Sequence, residues 1–134
     1  MVLPAGIRVR HATVVRKTMA LKETSAAGDI FQGTLDMLIL RTLVMGRAHG
    51  HTIAQVIEHT SEKALEIEQG SLYPALHRLE DRGLLASEWG TSKNNRKAKF
   101  YQITAKGHRH LTRQTNRWRH MTRAIGLILG QSAD

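Results

Sequence analysis

The chain has 134 residues, no cysteine and a formal net charge of +9, and 41% of its residues are hydrophobic. This length fits one domain with a modest core, while the lack of cysteine excludes disulfide bonds and thiolate metal sites and favours a cytoplasmic location. No apolar run approaches the roughly 18 to 20 residues of a membrane span, whereas the positive charge favours a nucleic acid, because phosphate neutralisation is the main sequence-independent source of such affinity.

Residues 1–28 are predicted to form a flexible basic tail. They contain five arginine and lysine residues against one acid, Glu23, and they show no sustained apolar periodicity. Such a segment either reaches DNA beside the main domain, as homeodomain arms do, or is a solvated extension. A second short tail is expected at residues 131–134.

Apolar residues at three- and four-residue spacing predict two helices after the tail. The first helix is predicted to begin with Thr34 as its cap and to end before the break at Gly46–Gly50. The second is predicted to begin at Thr52 and to fade near His59. Residues Leu65–Glu68 alternate between apolar and acidic, which predicts a short strand or a connector. The buried side of the first helix is predicted to contain Leu35, Leu38, Ile39, Leu43 and Val44.

A third helix and a hairpin are predicted next. The helix is expected from Ser71 to Arg82, with Gly83 in the left-handed conformation that often ends a helix. Two strands at 84–89 and 98–104 follow, joined by the polar turn Gly90–Lys97. Three helices and a hairpin predict a mainly α fold with a small β wing, a winged helix-turn-helix domain over residues 29–104. The buried side of the third helix is predicted to contain Leu72, Ala75, Leu76 and Leu79.

Residues 105–130 are predicted to form a C-terminal dimerisation helix. Apolar side chains recur at the a and d positions of a heptad, and only Gln114 interrupts them. The small core cannot cover such a stripe, so we expect a homodimer that pairs through this helix. The predicted interface contains Leu111, Trp118, Met121, Ile125 and Ile128.

Three blocks of this sequence resemble the PadR family of bacterial transcriptional regulators. They are GTLDMLILRTLVMGRAHGHTI at 33–53, QGSLYPALHRLEDRGLL at 69–85 and AKFYQITAKGHRHL at 98–111. The resemblance covers about residues 30–130, and the single C-terminal helix resembles the short form of the family. It implies a homodimer that binds an operator and usually represses a gene, in some relatives with release by a small effector.

The resemblance places the recognition helix at Gly70–Gly83. Tyr73 offers a ring and a hydroxyl to DNA, and Arg78 can read guanine or bind phosphate. The wing carries four cations and no acid within the seven residues Lys93–Lys99. Where the family usually has tyrosine, this chain has His51. The residues expected at DNA are Gly70, Ser71, Tyr73, Pro74, His77 and Arg78 in the helix, Lys93, Asn94, Arg96, Lys97 and Lys99 in the wing, and His51.

The sequence gives less support to metal binding, catalysis or nonspecific nucleic-acid binding than to DNA regulation. The eight histidines lack the acidic companions and spacing of a metal site, and no nucleophile elbow or phosphate loop occurs, so no cofactor and no catalysis are expected. The alternative function is a nonspecific nucleoid-associated or RNA-binding protein, although two phenylalanines and two tyrosines are few for a base-stacking surface. The resemblance also implies a second interpretation of Trp118, as the wall of a site for a small aromatic effector in the space between the paired C-terminal helices and the DNA-binding domains.

Overall fold

A computed structural model describes residues 6–9 and 25–130, which form four helices and five strands. The helices are α1 (Ser25–Val44), α2 (Gly50–Thr60), α3 (Gln69–Asp81) and α4 (Ala105–Leu129). The strands are β1 (Ile7–Val9), β2 (Ala48–His49), β3 (Leu65–Ile67), β4 (Leu85–Thr91) and β5 (Lys97–Ile103). The fold is mainly helical with a hairpin wing, which confirms the predicted fold class.

The hydrophobic core lies between the first three helices and the base of the hairpin. All four residues of the predicted α3 stripe are buried, because their spacing places them on one face of the helix. On α1, Leu40 is fully buried although the predicted stripe omitted it. This helix packs against α2, α3, α4 and β5, so its buried surface is wider than one stripe. On the hairpin, the side chain of Tyr101 is buried and packs in this core.

The wing belongs to an antiparallel sheet with the strand order β2-β5-β4. Leu85 lies opposite Ile103 at the base, and Thr91 lies opposite Lys97 near the tip. Strand β4 therefore extends further towards the hairpin tip than its predicted end at residue 89. The sequence prediction also missed β2, whose two residues pair with β5 but are too few to show an alternating pattern.

The N-terminal part of the chain differs from its prediction. The first helix begins at Ser25, so Thr34 lies inside α1 and does not cap it. Strand β1 falls within the segment predicted as a tail, and it pairs antiparallel with β3, with Ile7 opposite Ile67. Ile7 is buried in the core. The rest of the predicted tails, residues 1–5, 10–24 and 131–134, lies outside the described residues.

Helix α4 starts at a junction with the end of α3. The Thr104 hydroxyl accepts a hydrogen bond from the amide of Gly107 at 3.0 Å and donates one to the carbonyl of Gly83 at 2.7 Å. The backbone of Gly107 lies so close to Leu84 that a Cβ there would be 2.2 Å from the Leu84 carbonyl oxygen. These contacts fix the first turn of α4 against the segment that follows α3.

Candidate nucleic-acid interface

The first half of α3 is the most exposed part of that helix. Because the buried stripe occupies one face, Gly70, Pro74 and His77 are exposed, and Ser71 is half-buried. Tyr73 lies with them and is 42% exposed. Pro74 stands in the second turn rather than the first, so the carbonyl of Gly70 has no amide partner at the usual helical spacing. The structure thus exposes four of the six predicted α3 residues, while the side chain of Ser71 lies against Gly6.

Tyr73 is seated against the beginning of α2. A Cβ on the buried residue Gly50 would lie 2.8 Å from the Tyr73 ring and 3.0 Å from its hydroxyl oxygen. Only glycine allows this approach, so the ring is held across the start of α2 beside the exposed His51. The sequence prediction missed Gly50, since nothing in the sequence indicates that a tyrosine 23 positions later packs on it.

Arg78 is half-buried and contacts α1. Its guanidinium donates a hydrogen bond from Nη2 to Oδ1 of Asp36 on α1 at 3.0 Å, and Asp36 is only 4% exposed. Burial raises the pKa of the Asp36 carboxyl, and the attraction of Arg78 offsets this only in part. This contact ties α3 to α1, while 35% of the Arg78 side chain is exposed, so its contact with DNA stays a prediction.

The tip of the wing carries the exposed cations. Lys93, Asn94, Arg96 and Lys97 are all exposed, and the turn that displays them is ordered by Ser92. The amide of Ser92 donates to the Arg96 carbonyl at 2.8 Å, and its hydroxyl accepts from the Arg96 amide at 3.3 Å. The tip thus presents positive charge on a defined turn, which suits contact with phosphates.

Lys99 lies apart from the tip. Its ammonium is 3.2 Å from Oε1 of Glu80 on α3 and 5.6 Å from the centre of the Tyr101 ring. The Ser87 hydroxyl also donates to Glu80, and Ser87 and then Lys99 lower the pKa of the Glu80 carboxyl. Lys99 therefore joins the wing to α3, and its predicted role as a free phosphate contact is not supported by this position.

The opposite face of the wing carries a separate aromatic and ionic cluster. The Arg47 guanidinium lies 4.8 Å from the centre of the Phe100 ring and pairs with Glu88. His49 meets Phe100 edge-on at 5.4 Å between ring centres, and the His49 and His51 rings are parallel at 6.4 Å. Within residues 6–9 and 25–130, no group of three or more histidine, aspartate or glutamate side chains could hold a metal ion.

A family model described as the transcriptional regulator PadR-like family matches residues 39–113, more than half of the chain. The chain belongs to this family. The PadR-like assignment makes this chain a transcriptional regulator rather than an enzyme, and regulators of this family bind DNA. Among the helices within residues 25–130, none is long and apolar enough to cross a bilayer.

Several relatives of this PadR-like chain have known structures. A transcriptional regulator from Clostridium thermocellum is 26% identical with a TM-score of 0.66, and the match covers 73% of this chain and 95% of that one. A PadR family transcriptional regulator from Eggerthella lenta is 29% identical with a TM-score of 0.65, covering 90% and 96%. An uncharacterized protein from Lysinibacillus sphaericus is 29% identical over 101 residues, 75% of this chain and 93% of that protein.

The α4 helix of this PadR-like regulator exposes most of its apolar stripe. Leu111 is an exception, because it is only 7% exposed and packs in the core of its own chain, so it is unavailable for the predicted interface. Trp118 is half-buried. Met121 is 44% exposed, Ile125 39% and Ile128 84%. The apolar stripe is therefore buried near the start of α4 and exposed towards its C-terminal end.

A cavity of about 310 Å³ lies between α1 and α4 of the PadR-like chain. Trp118 forms part of its wall together with the apolar side chains of Met37 and Met121. Gln114 and Arg117 supply polar groups. The cavity is therefore amphipathic and borders the exposed part of the α4 stripe.

Proposed function

We propose that this PadR-like regulator binds double-stranded DNA as a homodimer and represses transcription from a near-palindromic operator, acting in the cytoplasm. The observations that carry the proposal are the exposed first half of α3, with Tyr73 seated on Gly50, and the exposed cations of the wing tip. The chain's charge of +9 supports the same partner.

The first half of α3 enters the major groove in this proposal. The positive end of its dipole favours nearby phosphates, while Tyr73 and His77 reach sugars or base edges. The wing tip with Lys93, Arg96 and Lys97 follows the adjacent backbone. Arg78 and Lys99 act indirectly, because their ion pairs with Asp36 and Glu80 hold α3 in place.

The exposed end of α4 supports the homodimer. Two copies that pair through this helix would present two α3 helices to half-sites about one helical turn, or 10 bp, apart. A dimer placed on a promoter would exclude polymerase, which gives repression by a steric mechanism. The cavity beside Trp118 supports one further element, a small aromatic effector that binds between α1 and α4 and releases the operator.

A fluorescence-anisotropy titration tests the proposed function. Labelled DNA from upstream of the gene and a scrambled duplex are each titrated at near-physiological salt. We expect the upstream DNA to bind tighter by roughly a thousandfold or more. Equal affinity for both, followed by failure to select a preferred sequence from random duplexes, would instead identify a nonspecific architectural binder.

The change Tyr73→Ala is expected to weaken operator binding by about 1 to 3 kcal/mol, because it removes the ring that α2 holds toward DNA. Titration of the operator and of a random duplex measures the loss. Tyr73→Phe is the matched control and separates the ring from the hydroxyl. If Tyr73→Ala binds the operator as tightly as the unchanged protein does, Tyr73 lies outside the interface.

Paired changes Ile125→Glu and Ile128→Glu are expected to raise the dimer dissociation constant by about a hundredfold or more, because two charges would be buried in the apolar seam. Sedimentation velocity over a concentration series measures the dissociation constant. The control is Leu127→Glu, since Leu127 is an exposed apolar residue on another face of α4. A dimer that survives the paired changes would place the subunit contact elsewhere.

A further inference from the structure

Trp89 on β4 is a large side chain left in solvent on the wing. It is 63% exposed, and the Lys97 ammonium lies 5.1 Å from the centre of its ring. A tryptophan can bury roughly 150 to 250 Å², so its exposure leaves a substantial apolar surface uncovered. One ammonium group can occupy only one face of the ring, which leaves most of the ring available to a partner.

The strand register shows which way this part of the wing faces. Trp89 lies directly opposite Lys99, and Lys97 lies opposite Thr91 two positions further along, so all four side chains share one face of the hairpin. Lys99 on that face contacts Glu80 of α3. Trp89 therefore stands on the α3 side of the wing, between the cations of the tip and the recognition helix.

The charge around Trp89 limits what can cover the ring. Glu88 of β4 pairs with Arg47 on the opposite face of the wing, and Glu80 of α3 pairs with Lys99. The exposed cations Lys93, Arg96 and Lys97 surround the tip. The partner that fits this site best therefore brings negative charge and, beside it, an apolar surface. The DNA backbone has both, since each phosphate adjoins a deoxyribose and the edge of a base pair lies behind it.

We propose that Trp89 is a DNA-contacting residue of the wing, whose ring packs on deoxyribose at the minor groove next to each half-site while Lys97 binds the adjoining phosphate. This inference rests on the proposed function, because it assumes that α3 occupies the major groove. It adds an apolar contact to a wing whose other contacts are ionic. The apolar contact of Trp89 and the ionic contact of Lys97 depend differently on salt concentration. Their contributions to DNA affinity can therefore be measured separately.

Affinity measurements distinguish the two residues. Trp89→Ala is expected to weaken binding about tenfold to both operator and random duplex, with an unchanged dependence on salt concentration, because no counterion is released at the ring. Lys97→Ala is expected to lower the slope of log affinity against log salt by about one. Trp89→Phe is the matched control, and it should retain most of the affinity because it keeps an aromatic ring.

The chain has only two tryptophans, Trp89 and Trp118, so the contribution of Trp89 can be obtained by difference. In the unchanged chain, saturating DNA is expected to quench the tryptophan emission and to reduce its collisional quenching by acrylamide. In the chain carrying Trp89→Phe, both changes are expected to be smaller, because Trp89 no longer contributes to them.

Two results would overturn the inference while leaving the proposed function intact. The first is tight binding of duplex with unchanged Trp89 emission and unchanged affinity of Trp89→Ala. The second is protection of Trp89 that depends on protein concentration without DNA, which would mean that a second copy covers the ring. Failure of the unchanged protein to bind any duplex would instead overturn the proposed function itself.

Discussion

Replacing Arg78 with alanine is expected to lower the free energy of unfolding by about 3 kcal/mol, because it leaves the Asp36 carboxylate buried without its counterion. The pair joins α3 to α1 at 3.0 Å, and the side chain of Asp36 is only 6% exposed. That of Arg78 is 35% exposed, so water reaches one partner and the cost lies at the lower end for buried pairs. Urea denaturation followed by circular dichroism measures the change.

Two further variants separate the ion pair from other effects. Arg109→Ala removes an exposed arginine from α4 and should change stability by less than about 0.5 kcal/mol. Combining Arg78→Ala with Asp36→Asn should restore most of the loss, because the buried charge is then gone. If the double variant also recovers operator binding, Arg78 positions α3; if binding stays lost while stability returns, Arg78 contacts DNA after all.

The pH dependence gives a second test of the same pair. Burial raises the pKa of Asp36 in the folded protein above the value of about 3.9 in the unfolded chain. The folded state therefore holds this proton more tightly, and the contribution of Asp36 to stability falls as the pH rises from about 4 through the raised pKa. Asp36→Asn should abolish this fall. Arg78→Ala should extend it to higher pH, since the attraction that opposes the pKa rise is lost.

Replacing Gly107 with alanine is expected to destabilise the fold by about 3 kcal/mol, because the new methyl group would overlap atoms that cannot move independently. Its Cβ would lie 2.2 Å from the Leu84 carbonyl oxygen and 2.8 Å from Cγ1 of Ile103. Relief requires a shift of α4, which would also disturb the bond from the Lys106 ammonium to the Arg82 carbonyl at 2.9 Å. Thermal unfolding measures the effect.

Gly70→Ala is the matched control for this change. Gly70 lies in the first turn of α3, and nothing lies within 4 Å of a Cβ placed there. Alanine is the better helix former, so stability should stay equal or rise by up to about 1 kcal/mol. Equal losses for Gly107→Ala and Gly70→Ala would mean that the close approach at the start of α4 is unimportant.

Much of the fold was predictable because its elements are amphipathic. The helix α3 shows its buried stripe in the sequence, and Gly83 stands where the backbone has a φ of +76°. The strand β1 was not predictable, since three residues carry no measurable period and its partner β3 is 58 positions away, from Ile7 to Leu65. Pairing over such a separation depends on the folded core rather than on local preference.

The contacts within the candidate interface were less predictable than the fold. Spacing along a helix identifies which residues leave the core, so the exposure of Tyr73 and His77 was predictable. It does not show which charged side chain meets a partner from a distant element, so the ion pairs of Arg78 and Lys99 were not predicted. Trp89 was treated only as a strand residue, because its exposure depends on how far the hairpin extends beyond the core.

The junction at Thr104 and Gly107 has a consequence for the spacing of DNA sites. It leaves no hinge between the helix that would read DNA and the helix that would pair subunits. One extra base pair between half-sites moves the second by about 3.4 Å along the duplex and about 35° around it. A dimer of this chain could follow only by distorting the junction or twisting the DNA. The two subunits would thus require half-sites at one fixed helical phase, because neither subunit could adjust to another spacing independently.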